Sequence, residues 1–163
     1  MKRIYSVLVE NRFGVLSKIA GLFSRRGFNI ASLAVGVTES PDVSRMTIVT
    51  DDESDAPERN FEQIRKQLSK MIDTIRVKAL SEEECLSREL VLIKVSGDIE
   101  SIKNTVKKTN TRVIDEDGEI CTIEITDTPE RVNKILSEFD EYELLETVRT
   151  GVISLQKGAK TLI

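Results

Sequence analysis

Glu10-Asn11-Arg12-Phe13-Gly14-Val15-Leu16, followed by Gly27-Phe28-Asn29-Ile30, is the stretch from which the rest of the chain is read. Its first piece turns an apolar strand into an amphipathic helix, and its second ends that helix and opens the next strand. Asn11 stands where an N-cap is expected, because its side-chain oxygen can accept from the open backbone N–H groups of a first helical turn. Gly14 leaves the mouth of that turn without a side chain, so a ligand can approach the backbone closely. A helix N-terminus, with free N–H groups and the positive end of the dipole, suits a small anion such as a carboxylate. Asn29 can offer an amide oxygen to an ammonium. Together these groups match the two charged ends of a free amino acid. Taken alone, an Asn before a helix and a Gly in a connection more often only cap and turn, so the surrounding pattern has to decide.

Outward from that stretch, Ile4 to Val9 reads as a central strand, apolar and β-prone. The helix runs from about Gly14 to Arg26, with Leu16, Ile19, Ala20 and Phe23 on one stripe and Gly27 as its stop. A strand follows over Asn29 to Thr38, then a turn at Glu39-Ser40-Pro41-Asp42 and a strand over Ser44 to Thr50. Asp51 through Pro57 reads as an acidic loop; its Asp51-Asp52-Glu53 group is a solvated surface more readily than a divalent-metal site. A helix over Glu58 to Ile72 and a strand over Ile75 to Ala79 complete a β-α-β-β-α-β order. That order predicts two helices on one face of a four-stranded antiparallel sheet, the ferredoxin-like arrangement of the α+β class.

The order then returns at a spacing of roughly 80 residues. Residues 81–87 read as a linker. Glu89 to Val95 is a strand, Asp98 to Thr109 a helix, Arg112 to Asp115 a strand, Asp117-Gly118 a hairpin turn and Ile120 to Ile125 a strand. Thr128-Pro129 opens a helix as N-cap and first position, Leu144 to Ser154 supplies the last strand, and Gln156 to Ile163 is expected as a loose tail. The expectation is therefore two tandem ferredoxin-like domains, 1–80 and 88–163. The second copy has no counterpart of Asn11, Gly14 and Asn29, which makes the first the candidate for a ligand site.

Composition narrows the chemistry. The 163 residues carry a net charge of −4 and no basic block, and aromatic residues make up only 4% with Trp absent, so a nucleic-acid partner has little support. No apolar run is long enough to span a bilayer and Met1-Lys2-Arg3-Ile4 does not open a signal peptide, so no membrane association and a cytoplasmic location are expected. There is no histidine, which removes the commonest general acid/base, the Ser-His and Cys-His pairs and most zinc sites. Cys85 and Cys121 share no metal-ligand spacing and read as reduced thiols. An acylphosphatase-like enzyme on this fold would need a glycine-rich loop that is not visible. These absences favour a binding module that is not itself an enzyme.

Ser6-Val7-Leu8-Val9-Glu10-Asn11, Gly14-Val15-Leu16-Ser17, Gly21 through Ile30, Ser44-Arg45-Met46-Thr47-Ile48, Gln63 through Val77 and the closing Arg149-Thr150-Gly151-Val152 resemble the small, regulatory subunits of acetolactate synthase (acetohydroxyacid synthase). The resemblance is dense to about Leu80 and looser beyond. It implies that residues 1–80 are an ACT domain and that the chain forms a homodimer with ACT sheets side by side. It further implies an effector site at the interface for valine, or for leucine or isoleucine, formed by Asn11, Gly14, Val15 and Leu16 of one chain with Asn29 and Ile30 of the other. The implied partner is the large catalytic subunit, which would hold the thiamine diphosphate, Mg2+ and FAD; this chain would bind no cofactor, raise the partner's activity and pass on feedback inhibition. Arg12-Phe13 departs from the small or acidic residues of the family's loop. A free-standing ACT-type sensor of another enzyme is the alternative.

Overall fold

Ile4, Tyr5, Ser6, Val7, Leu8 and Val9 are all buried in the computed structural model of the chain, so the strand that carries them is covered on both faces. The structure describes residues 1–52, 54 and 56–162; Glu53, Asp55 and Ile163 lie outside the described residues. The strand is β1 (Lys2–Glu10), central in an antiparallel sheet of order β2-β3-β1-β4, with β2 (Ile30–Val37), β3 (Val43–Asp51) and β4 (Thr74–Leu80). One face carries α1 (Val15–Arg26) and α2 (Pro57–Ser69). There Tyr5, Val7 and Val9 of β1 and Met46 and Ile48 of β3 pack against Val15, Ile19, Leu22 and Phe23 of α1 and Ile64 and Leu68 of α2. Each such aliphatic burial is worth about 1.5–3 kcal/mol. The Tyr5 hydroxyl donates to the Phe61 carbonyl at 3.0 Å, which satisfies a polar group inside that core.

The other face is closed by the end of the chain. Ile4, Val49, Leu80 and Cys85 cluster there, with Val152 against them. The chain from Val152 on is a strap, and its far end, expected as a loose tail from Gln156, is fastened at Gln156, Lys157 and Leu162. Its strand β9 (Ile153–Gln156) pairs with β5 (Cys85–Ser96). The Ser87 and Ser154 hydroxyls meet at 2.6 Å, Gln156 accepts from Lys78, and the Lys157 N–H donates to the Glu84 carbonyl at 2.9 Å. Leu162 is buried, lining a hollow with Leu8, Val43 and Ile75. Of the strap's apolar side chains, Val152 packs on the Ile4 cluster and Leu162 is buried, whereas Ile153 and Leu155 stay exposed on either side of the buried Ser154.

Residues 81–87, expected as a linker, are structured. Glu82–Glu84 form one 3-10 turn, the Glu84 carboxylate accepts from the Ser81 N–H at 2.9 Å and hydroxyl at 3.1 Å, and β5 begins at Cys85. One compact unit comprises Met1–Ser87 and the strap from Val152; the other is Arg88–Gly151. The second unit therefore ends at Gly151 rather than running to 163. The expected continuous strand from Leu144 to Ser154 is broken at Gly151, whose φ of +77° turns the chain between β8 (Glu143–Arg149) and β9.

Within the second unit the sheet order β6-β7-β5-β8 repeats that of the first, with β6 (Arg112–Asp117), β7 (Ile120–Asp127), α3 (Ile99–Thr109) and α4 (Pro129–Ser137). Val91, Ile93 and Val95 pack with Ile102, Val106, Cys121, Ile123, Ile125, Val132 and Phe139. The helix starts follow the sequence reading: Asp98 accepts from the Ser101 N–H at 2.8 Å, and Thr128 caps α4 ahead of Pro129. Both units thus have the doubled β-α-β-β-α-β order and antiparallel sheets expected of tandem ferredoxin-like domains.

Candidate functional site

The loop from β1 into α1 is fixed from below by backbone bonds. The Glu10 N–H donates to the Asp73 carbonyl at 2.9 Å, the Asn11 N–H to the Asp42 carbonyl at 2.7 Å, and the Val15 N–H to the Arg12 carbonyl at 3.4 Å. Lys18 pairs with Asp73 at 2.7 Å and Arg12 with Glu10 at 3.1 Å, which holds the same end of the sheet together.

Asn11 is not the N-cap of α1. That position belongs to Gly14, at φ +82° and ψ −9°, and no side chain caps the helix. The Asn11 amide is spent elsewhere: Nδ2 donates to the Pro41 carbonyl at 2.8 Å, and Oδ1 accepts from the Ser44 hydroxyl at 3.1 Å. Asn11 thus ties the entry loop to the turn between β2 and β3. Arg12, Phe13 and Gly14 stand between Asn11 and Val15, the first residue of α1. The sequence reading missed Ser44, whose role was visible only as a serine at the head of a strand.

At Gly14 the sequence expectation and the geometry agree on space. A Cβ built there would meet nothing within 4 Å, and the positive φ is one that side-chain-bearing residues rarely adopt. Leu16 and Ser17 lie in the first turn, where helix geometry supplies no intrahelical acceptor for their N–H groups. No acidic residue occupies that turn, whereas Arg25 and Arg26 close the other end, so the positive dipole end is unneutralised by a side chain. Val15 points inward, 2% exposed in the core, and can contribute only backbone. Leu16 is 44% exposed and Phe13 fully exposed beside Gly14.

Asn29 and Ile30 are not near this turn in the same chain. Gly27, at φ +70°, ends α1, and Asn29 follows exposed while Ile30 packs against the helix-side core. In register, Ile30 faces Thr50, which faces Arg3 at the start of β1, whereas Glu10 at its end faces Val43. The two halves of the motif therefore lie at opposite ends of α1, whose 12 residues span about 18 Å at ~1.5 Å per residue. Among the described residues no group of three His, Cys, Asp or Glu side chains could hold a metal ion, and no helix is long and apolar enough to cross a membrane.

Residues 5–76 match the family model described as "AHAS small subunit-like ACT domain", and residues 88–158 match "Small subunit of acetolactate synthase". The acetolactate synthase small subunit of Mycolicibacterium smegmatis is 45% identical over 158 residues, covering 95% of this chain and 91% of that protein. That of Haemophilus influenzae is 41% identical over 167 residues, covering 100% of both.

The chain belongs to the acetolactate synthase small-subunit family.

The crystal structure of the Thermotoga maritima acetolactate synthase small subunit superposes with a TM-score of 0.87 at 33% identity, covering 98% of this chain and 99% of that one. The first unit is thus an ACT domain, and the chain is a regulatory small subunit, not the catalytic one.

Proposed function

We propose that this small subunit binds the acetolactate synthase catalytic subunit, raises its activity, and confers feedback inhibition by sensing valine in branched-chain amino acid biosynthesis. The observation that carries the reading is the open, uncapped helix start at Gly14, which is separated by the length of α1 from the amide of Asn29. The two halves meet if β2, an edge strand of its sheet, pairs antiparallel with β2 of a second copy. Antiparallel pairing sets the start of one β2 beside the end of the other. The end of β2 is the end of the sheet where α1 begins, since Val37 faces Ser44 and Ser44 faces Val9. A homodimer would thereby oppose Gly14, Val15 and Leu16 of one protomer to Asn29 and Ile30 of its partner.

In that arrangement the valine carboxylate takes the first-turn N–H groups, the ammonium takes the Asn29 amide oxygen, and Leu16 and Ile30 line the space for the branched side chain. Asn11 holds the loop rather than the ligand. Leucine or isoleucine are the competing effectors. Thiamine diphosphate, Mg2+ and FAD belong to the catalytic partner, as does the reaction; the site of action is the cytoplasm. Inhibition then needs valine to favour one state of the assembly over another, with a coupling of about 1–3 kcal/mol.

Calorimetric titration of the purified chain with valine, leucine and isoleucine, with alanine and serine as controls, tests the reading. Saturable valine uptake, lost in Asn29→Ala, is expected, from a species of twice the 18.3 kDa chain mass by light scattering. Uptake unaffected by Asn29→Ala would move the site elsewhere.

A further inference from the structure

We propose that Ser32 is the residue through which the effector site acts on the C-terminal strap. The inference rests on the valine-sensing reading above and adds a route of regulation to it. The Val152 N–H donates to the Ser32 hydroxyl oxygen at 2.8 Å, a bond that spans 120 positions of sequence. The strap's bonds to Lys78, Glu83, Glu84 and Ser87 engage the β4 side of the unit, whereas this one engages β2. β2 begins at Ile30, directly after Asn29, so the bonded serine stands two residues beyond the proposed effector contacts.

Why Ser32 can reach the strap follows from an irregularity in β2. Its pairing with β3 slips between Ile30 and Ser32: Ile30 faces Thr50 while Ser32 faces Val49. In a regular strand, residues two apart share a face. The slip releases them from that rule. Ile30 packs toward the helix-side core, and Ser32 turns to the opposite face, where Val49 and Val152 belong to the same cluster. Bulges re-aim side chains and interrupt the ladder locally. A ligand that fixes Asn29 and Ile30 therefore fixes the slip, and with it the acceptor that Val152 needs. Val152 follows Gly151, at φ +77°, and through Thr150 is continuous with Arg149 and β8. The strap is thus the covalent continuation of the second unit and at the same time a hydrogen-bonded neighbour of the effector strand.

The test uses the full chain, alone and with its catalytic subunit. In the wild type, valine should slow amide exchange of the peptide containing Val152 several-fold. Ser32→Ala should keep valine affinity within about threefold by calorimetry, yet lose that slowing and at least half of the maximal valine inhibition of the reconstituted enzyme. Ser32→Thr retains the hydroxyl and should restore both, which separates coupling from a general loss of fold. If Ser32→Ala binds valine and inhibits as the wild type does, the proposal falls. The same holds if valine binds the wild type without altering exchange at Val152. A wild-type chain that takes up no branched-chain amino acid would overturn the sensing reading itself, and calorimetry alone distinguishes that failure from the other two.

Discussion

Gly14 and Asn11 show how two neighbouring residues of one motif divide the work. Gly14 supplies an αL turn and empty space at a helix start; Asn11 makes three bonds, with Pro41, Asp42 and Ser44, that hold that turn against the start of β3 and the loop before it. Gly14→Asp therefore meets no steric obstacle, and its cost is conformational, roughly 1–2 kcal/mol for a side chain in the αL region. Its carboxylate would stand where the effector carboxylate is proposed to sit. The expected outcome is a folded chain with a modestly lowered melting temperature and valine affinity reduced at least tenfold, while activation of the catalytic subunit persists. Full feedback inhibition in a reconstitution assay would displace the carboxylate site from this turn. The space at Gly14 was legible in the sequence because glycine carries no Cβ. The commitment of Asn11 was not, since it depends on Pro41 and Ser44, about 30 positions away.

Among the elements, α1 and β2 carry the proposed function and the others hold them. The stripe Val15, Ile19, Leu22, Phe23 docks α1 on the sheet, which leaves its two ends free to present a glycine turn and an asparagine. β2 has Val35 47% and Val37 59% exposed, on an edge strand whose other neighbour is β3. Edge strands of soluble proteins are often guarded by charge, Lys in particular; here β2, Ile30 to Val37, carries none. Val35→Lys should accordingly shift the chain toward monomer by light scattering and weaken valine binding in step, with little effect on the thermal stability of the second unit. A dimer of unchanged strength would argue against side-by-side pairing through β2. Element identity and order were readable from hydrophobic period and caps, as at Asp98 and Thr128. The slip in β2 was not readable, because it is set by which partner residue each position meets.

On the scale of the whole molecule, the second unit, Arg88–Gly151, is inserted in the chain of the first. β5 leads into it and β9 leads back, and the returning strap covers Ile4, Val49, Leu80 and Cys85. A fragment of residues 1–85 keeps the β-α-β-β-α-β order but lacks that cover. It should therefore associate or bind a hydrophobic dye, because it exposes an apolar sheet face. Replacing Arg88–Gly151 by a short Gly-Ser connection restores the strap and should give a soluble, cooperatively melting unit with a native near-UV signal. The hydroxyls of Ser87 and Ser154 already lie 2.6 Å apart, so a short connection suffices. A well-behaved 1–85 fragment would show that the strap is dispensable for the fold.

By itself the sequence determined the doubled α+β order, the antiparallel sheets and the family, because these depend on local period, capping and motif; on α1 it misassigned Leu16 and Ala20 to the buried stripe, where Val15 and Leu22 stand. Only the tertiary structure decided that Asn11 serves the loop, that the pairing of β2 slips between Ile30 and Ser32, and that the chain from Val152 is a strap which returns to the first unit. Each of these depends on contacts between residues distant in sequence. A tail carries the same composition whether it waits in solvent or is fastened to a sheet, and only the contacts it meets set the difference.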